Sequence, residues 1–213
     1  MSPVSLDNKK ASYDDIAERV RNCKACPLHR LRTNAVPGEG NLSAKIMLVG
    51  EAPGKNEDEQ GRPFVGAAGQ LLSSLLEQAG LRRQDVYITN VVKCRPPNNR
   101  TPTEDEVAAC IGFLKEEISL VRPKVIVALG NTAGSALMSL AGKQWRGVTA
   151  ERGRKVKVSI GGVELTVIPT YHPAAALYKP DLKDYLAKDI KEAAEEAEEP
   201  ARARKTLLDF MGG

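Results

Sequence analysis

Four cysteines are the residues whose type and spacing point most directly to chemistry. Cys23 and Cys26 form a C-x-x-C pair in a predicted loop, whereas Cys94 follows a predicted strand and Cys110 lies on the next helix. Four thiolates fit either a Zn²⁺ ion or a 4Fe–4S cluster. The wide spacing of the second pair favours the larger cluster over a zinc ribbon, which usually uses two tight C-x-x-C pairs. A Cys110 that is merely buried is the alternative, and it leaves the C-x-x-C pair unexplained.

A second candidate site is the glycine- and proline-rich run Gly50–Gly69, which reads GEAPGKNEDEQGRPFVGAAG. Its backbone amides could hold a phosphate, although neither a P-loop nor a G-x-G-x-x-G motif is present. Phe64 within it is either a core residue or a ring that stacks on a base. Glu51 directly follows a predicted strand, where its carboxylate either orients a water molecule or is simply solvated.

Two further polar residues lie within or just after predicted strands. His172 follows the run ELTVIPTY, and a histidine in that place can donate to a developing anion. Asn90 interrupts the apolar run YITNVV, where a buried amide either bonds internally or reads a ligand. The other histidine, His29, is expected to be solvated or to face a phosphate.

The elements that must position these residues alternate between strand and helix. Apolar runs predict strands over 45–50, 86–92 and 124–130, and Gly161–Gly162 predicts a hairpin between 156–160 and 164–168. Helical spacing predicts helices over 13–23, 69–79, 103–121, from 131 onward, and from 180 to 199. This order predicts an α/β fold with a mostly parallel sheet covered on both faces. Sites in such sheets form beyond the carboxyl ends of the strands, where Glu51, Asn90 and His172 should converge.

Composition sets the remaining limits. A chain of 213 residues with 42% hydrophobic and 27% charged residues suits one domain, which we expect to span 1–199. The net charge of +4 is mild, but the segment 143–157 carries six basic residues against one acid and could contact phosphates. No run is long enough for a membrane span and the N-terminus lacks the apolar core of a signal peptide, so we expect an intracellular protein with reduced thiols.

Taken together, these motifs resemble those of the family 4 uracil-DNA glycosylases over roughly residues 12–190. The matching parts are Cys23–Cys26, Gly50–Gly54, Gly61–Gly69, Ile88–Asn90, Lys93–Pro97, Cys110 and His172–Ala175. The resemblance implies a three-layer α/β/α sandwich and a monomer that removes uracil from double- or single-stranded DNA in base excision repair. It also implies a 4Fe–4S cluster held by Cys23, Cys26, Cys94 and Cys110.

The resemblance also assigns roles within the site. It implies that Phe64 stacks on a flipped uracil, Asn90 reads its N3–H and O4, and His172 stabilises the negative charge at O2. Glu51, with the backbone of Ala52, would hold the attacking water. Relatives of family 1 carry an aspartate where this chain has Ala52, so the group that holds the attacking water differs between the two families.

Contacts with DNA are expected from Gly66, Ala67 and Leu177, the last filling the gap left by the flipped nucleotide. Related enzymes that form a covalent bond to DNA carry a longer, histidine-containing loop in place of 95–102. We therefore expect this protein to release its product and turn over. Three rival hypotheses remain. A non-catalytic DNA-binding module with a structural metal would bind uracil-containing DNA without releasing uracil, and an electron-transfer protein would leave Asn90, Phe64 and His172 without a role. A small nucleotide hydrolase would need paired carboxylates and a phosphate-binding lysine, which the sequence lacks.

The segment 200–213 is interpreted as a C-terminal tail. It carries Leu207, Leu208, Phe210 and Met211, which a free tail has no need of. The stretch from Arg204 to Met211 loosely resembles the peptide by which repair enzymes bind the sliding clamp, with Arg204 in place of the usual glutamine and Met211 in place of the second aromatic. Packing back onto the domain and disorder are the alternatives.

Overall fold

A computed structural model describes residues 6–199. The strands are β1 (Glu39–Gly40), β2 (Ile46–Gly50), β3 (Tyr87–Asn90), β4 (Val125–Leu129), β5 (Val156–Ile160) and β6 (Val163–Thr170). The helices are α1 (Leu6–Asn22), α2 (Lys55–Gln60), α3 (Ala67–Gln78), α4 (Glu104–Val121), α5 (Asn131–Leu140), α6 (Val148–Glu151), α7 (Pro173–Tyr178) and α8 (Leu182–Glu198).

The strands form one six-stranded sheet in the order β1-β3-β2-β4-β6-β5. The four central strands β3, β2, β4 and β6 run parallel, and β1 and β5 are antiparallel edges. Because the parallel strands end on one side, the segments after β2, β3, β4 and β6 meet at a common edge.

Alternate residues of the central strands point to two different cores. Met47 and Val49 of β2 pack with residues of α1, α4 and α5, whereas Ile46 and Leu48 pack with residues of α3, α7 and α8. A sheet covered by helices on both faces is a three-layer α/β/α sandwich, so the expected fold class is confirmed.

Most predicted elements are present, and the differences have local causes. Helix α4 begins at the predicted capping box, in which Glu106 N–H donates to Thr103 Oγ1 over 3.3 Å and Thr103 N–H donates to Glu106 Oε2 over 2.8 Å. The glycine- and proline-rich segment after β2, for which no helix is predicted, contains α2. Glu57 in the first turn of this helix accepts from the Gly54 N–H, and Gly61, at φ +66°, ends it. Helix α7 was also missed, although Pro173 stands at its first position.

No helix in the range 6–199 has the length and apolar character that a membrane crossing needs. The predicted tail, 200–213, lies outside the described residues.

Candidate active site

A cavity of about 310 Å³ opens at the carboxyl edge of the parallel strands. Glu51 and Ala52 reach it from the end of β2, Asn90 from β3, Gly130 from β4 and His172 from β6. Phe64 lines the same cavity from the loop between α2 and α3. The predicted convergence of Glu51, Asn90 and His172 is therefore confirmed.

Asn90 supplies a polar atom that lacks a partner. Its side chain is 2% exposed, and its Oδ1 accepts no hydrogen bond from any residue in the described part of the chain. A buried, unpaired carbonyl oxygen is costly, by roughly 1–3 kcal/mol, and is best explained by a ligand that donates to it. The alternative that this amide is satisfied internally therefore fails for Oδ1.

Gly50 and Phe64 shape the space around that oxygen. A Cβ on Gly50 would lie 2.4 Å from Asn90 Oδ1 and 2.5 Å from Phe64 Cζ, so only glycine fits at this position. Phe64 itself has φ +52°, which a residue with a side chain rarely adopts. Arg83 supports this conformation, because its Nη1 donates to the Phe64 carbonyl oxygen over 3.0 Å and its Nη2 donates to the Pro63 carbonyl oxygen.

The Phe64 ring lies against the ring of His172, with centroids 5.7 Å apart and 29° between the planes. Phe64 is 6% exposed and packs with the core on one side while it lines the cavity on the other. The two interpretations of Phe64 are thus compatible, since one ring serves the core and the cavity.

His172 caps the N-terminus of α7. Its Nδ1 accepts from the Ala174 N–H over 3.2 Å, so the neutral ring carries its proton on Nε2. Burial lowers the pKa of His172 to about 4, although the nearby Glu57 carboxylate acts in the opposite direction. At neutral pH the ring is therefore uncharged and has one N–H to donate.

Glu51 lies between two cavities. Its carboxylate accepts a hydrogen bond from the Thr132 hydroxyl at the start of α5. Both residues also line a neighbouring groove of about 620 Å³ that includes Trp145. This contact fixes the carboxylate where a water molecule from the groove could meet a ligand in the first cavity.

Glu57 joins the two halves of the glycine-rich segment. Its Oε1 accepts from the Val65 and Gly66 N–H groups over 2.9 and 2.8 Å, and its Oε2 accepts from the Gly54 N–H over 3.1 Å. These are amides that we expected to be available to a phosphate, so that expectation is wrong for them. The following Ala67 is exposed at the start of α3.

The four cysteines line one small space between the end of α1, the segment after β3 and α4. Arg32 Nη1 donates to Cys94 Sγ over 3.1 Å, and the Lys93 N–H donates to Cys110 Sγ over 3.3 Å. Burial raises the pKa of both Cys94 and Cys110, the latter to about 12. Within residues 6–199, no three histidine, cysteine, aspartate or glutamate side chains form a group that could hold a single metal ion.

Two predicted DNA-contacting regions differ in character. Leu177 on α7 is 43% exposed beside Tyr178, which is 87% exposed, so both are accessible to a partner.

The basic stretch 143–157 is mostly neutralised: Glu151 pairs with Arg146 and Arg154, Asp189 with Arg152, and Glu196 with Lys155. A broad phosphate-binding role for that stretch is therefore not supported.

Comparisons with known proteins agree with this geometry. The family model of the Uracil DNA glycosylase superfamily matches residues 37–195. The chain is similar to type-4 uracil-DNA glycosylases from Sulfurisphaera tokodaii (50% identity, over 95% of this chain and 91% of the relative) and Pyrobaculum aerophilum (52%, over 81% and 88%). It is similar as well to the type-4 enzyme from Thermotoga maritima (52% identity, over 84% of this chain and 91% of the relative).

Proposed function

The chain belongs to the type-4 uracil-DNA glycosylases, and we propose that it hydrolyses the N-glycosidic bond of uracil in DNA and leaves an abasic site. The observation that carries this proposal is the unpaired Asn90 Oδ1 in a cavity walled by Phe64 and His172. A base within a duplex cannot reach such a cavity, so the nucleotide must be flipped out.

Asn90 supplies the specificity. Its Oδ1 accepts from uracil N3–H, and its amide NH₂ donates to O4. Cytosine presents an acceptor at N3 and a donor at N4, which is the opposite pattern at both atoms. A site built to bond one pattern rejects the other strongly because buried polar groups are left unpaired. Phe64 stacks on the ring of the base, and Gly50 leaves the room it needs.

His172 acts on the leaving group. Breaking the glycosidic bond places positive charge on the sugar and negative charge on uracil. The Nε2–H of a neutral His172 donates to O2, where that negative charge develops. The bond from Ala174 to Nδ1 selects this tautomer, so the donor is set before the substrate arrives.

Glu51 positions the attacking water. Its carboxylate is oriented by Thr132 and faces both the base cavity and the adjoining groove. The water then attacks the sugar carbon as positive charge develops there, with Glu51 accepting its proton. The Ala52 backbone contributes to the same corner of the cavity.

On the DNA side, Leu177 fills the gap that the flipped nucleotide leaves in the stack. Ala67 is exposed at the start of α3 beside the Phe64 loop, and it contacts the strand that enters the cavity. Gly66 before it is buried and its N–H donates to Glu57, so the expected DNA contact is assigned to Ala67 alone.

The cysteines are proposed to hold a 4Fe–4S cluster. The fit is supported by four thiol groups around one space and by N–H donors from Arg32 and Lys93 directed at two of the sulfurs. The four cysteines would hold such a cluster between the end of α1, the segment after β3 and α4, and it would cross-link these elements. None of the residues that line the cysteine site lines the base cavity, so the cluster would have a structural role. Burial raises the pKa of Cys94 and Cys110, so both thiols carry their protons before iron binds. Because iron binds the thiolate, these protons would leave on binding.

The decisive experiment incubates the protein with a duplex that contains a single uracil and measures free uracil and abasic sites. A duplex with cytosine at the same position is the control. Release of uracil from the first duplex alone is expected. Binding without release would instead favour a non-catalytic module. Protein purified without oxygen should also carry about four irons per chain, and one tight zinc with no iron would contradict the cluster.

The tail 200–213 is proposed to bind the sliding clamp through Leu207, Phe210 and Met211. Such a peptide would form one helical turn that places apolar anchors in a groove of the partner.

A further inference from the structure

A second basic surface surrounds the cysteines. The segment 20–38 contains Arg21, Lys24, Arg30 and Arg32, together with His29, and no aspartate or glutamate. We call these five residues the cysteine-loop surface. Arg21, Lys24 and Arg30 are exposed to solvent.

This surface differs from the other basic stretch of the protein. Between 143 and 157 most cations are paired with carboxylates, as described above. None of the four lysine and arginine residues of the cysteine-loop surface forms an ion pair within residues 6–199. Its positive charge is therefore available to an outside anion.

The surface also has a defined shape. Arg21, His29 and Arg32 line a polar cavity of about 470 Å³ together with Gln60 and Gly61. Arg32 is held in place, because it donates to Cys94 Sγ over 3.1 Å and to the Arg21 carbonyl oxygen over 2.6 Å. Arg21 and Arg32, with His29, are thus arranged around a cleft whose wall is held by the contact of Arg32 with Cys94.

Helix α2 connects this cleft to the base cavity. Gly61 at its C-terminal end borders the cleft, and Gly54 and Glu57 at its N-terminal end border the base cavity. Six residues at about 1.5 Å per residue span roughly 9 Å. At roughly 3.4 Å of rise per nucleotide of one strand, this distance corresponds to two or three nucleotides.

We propose that the cysteine-loop surface binds the phosphodiester backbone of the uracil-containing strand, two or three nucleotides from the flipped base. The inference rests on the proposed function, and it gives the cysteine site a purpose beyond stability. The cysteines hold Lys24, which lies between Cys23 and Cys26, and Arg32, which contacts Cys94, in a fixed array beside the strand.

The test removes three exposed charges without touching a cysteine contact. The variant Arg21→Gln, Lys24→Gln, Arg30→Gln is compared with the charge-matched control Lys115→Gln, Lys157→Gln, Lys191→Gln. The control lysines are exposed and form no ion pair among the described residues. Lys157 lies on the edge strand β5, where its backbone is in register with Thr166 of β6, which in turn is in register with the start of β4. Lys115 lies close to Gly161, which follows β5, so both lysines lie toward the β5 edge of the sheet.

Binding to a uracil-free duplex is measured by fluorescence anisotropy between 50 and 200 mM salt. Each lost phosphate contact should lower the slope of log affinity against log salt by about 0.9, so the test variant should lose about two to three units of slope. The affinity of the test variant for DNA should fall roughly 10- to 100-fold, whereas the affinity of the control variant should stay at the wild-type level. The iron content and the saturated single-turnover rate of the test variant should also match those of the wild type. Because this duplex contains no uracil, the result is independent of whether the protein excises uracil.

The position is tested by placing a neutral methylphosphonate at one phosphate at a time around the uracil. A methylphosphonate that lies two or three nucleotides from the uracil should weaken binding by the wild-type protein but not by the triple variant. Equal DNA binding by the triple variant and its control would overturn the proposal and leave this surface to an acidic protein partner. If the loss of affinity is the same wherever the methylphosphonate is placed, the assigned position is wrong.

Discussion

The Nζ of Lys93 lies 2.6 Å from Oε2 of Glu117 in the core, with side chains that are 2% and 0% exposed. The same ammonium donates to the main-chain carbonyl oxygen of Asn90 over 2.8 Å and to Thr89 Oγ1 over 2.6 Å. The Lys93 N–H meanwhile donates to Cys110 Sγ. One residue thus connects the cysteine site to the strand end that presents the Asn90 amide.

A buried ion pair is weak support for stability, because desolvation offsets much of the attraction. We therefore expect Lys93 and Glu117 to act mainly as positioning residues. Lys93→Met should destabilise the fold by about 3–5 kcal/mol, since it leaves the Glu117 carboxylate without its partner. The double variant Lys93→Met, Glu117→Leu should recover only part of that stability, because the Gly38 N–H and the hydroxyls of Tyr87 and Thr89 lose their acceptor, and it should excise uracil more slowly than the wild type. Denaturant unfolding and single-turnover excision separate the two effects, and a stable double variant with wild-type excision would show that the pair does not position Asn90.

Asn90→Asp should reduce uracil excision at least roughly 100-fold, because a carboxylate offers only acceptors where uracil O4 needs a donor. The matched control is Asn41→Asp, an exposed position away from the cavity. Both variants are assayed under single turnover at saturating enzyme. Near-normal rates for Asn90→Asp would mean that this amide is structural.

His172→Ala should slow the cleavage step roughly 10²–10³-fold, the usual loss for one oxyanion donor, with little change in DNA affinity. If affinity falls and the cleavage rate holds, His172 binds DNA instead of stabilising the leaving group.

The pKa of His172 predicts a pH dependence as well. Its value of about 4 in the folded protein lies below the 6.5 of an exposed histidine, so protonation favours the unfolded chain. The stabilisation is complete above pH 6.5 and is lost as the pH falls toward 4, by roughly 2–3 kcal/mol at pH 4.5. His172→Gln should lose correspondingly less between pH 7 and 4.5 in urea unfolding. Parallel losses in both proteins would contradict the lowered pKa.

Much of this site could be predicted from sequence because its residues stand at strand ends. His172 follows an apolar run and Asn90 interrupts one near its end, and parallel topology alone brings such positions together. Glu57 and Thr132 could not be found in this way, since their partners depend on how separate loops fold against one another. The Glu57 contact with Gly54 carried a local signal, a glutamate three residues after the turn, but its bonds to Val65 and Gly66 are tertiary.

The charge of a segment was equally hard to interpret without its partners. The stretch 143–157 is the more basic in sequence, yet helix α8 brings Asp189 and Glu196 against it. The segment 20–38 is less conspicuous in sequence and remains unpaired among the described residues. Whether charge is available for binding is decided by packing between distant elements, which composition does not reveal.

Glu51 and Thr132 give a graded prediction. Glu51→Gln should slow hydrolysis roughly 10²-fold or more, because the amide cannot take the proton of the attacking water. Thr132→Val should slow it roughly 10-fold or more, given that a hydrogen bond to a charged group contributes about 1.5–3 kcal/mol. Thr132→Ser keeps the hydroxyl and should restore most of the rate. If Ser and Val at position 132 behave alike, the hydroxyl does not orient Glu51.

The tail gives the last prediction. A protein that ends at Glu199 should excise uracil from short oligonucleotides at the wild-type rate but should no longer bind the sliding clamp of the same organism. In the full chain, Leu207→Ala with Phe210→Ala should abolish clamp binding, because these residues occupy the anchor positions of the peptide. Leu208→Ala is the matched control, since it removes an equal apolar side chain from a non-anchor position and should bind as the wild type does. Calorimetric titration against the clamp measures all four proteins. Equal binding by the full-length and truncated proteins, or no binding by either, would remove the clamp from the proposed partners.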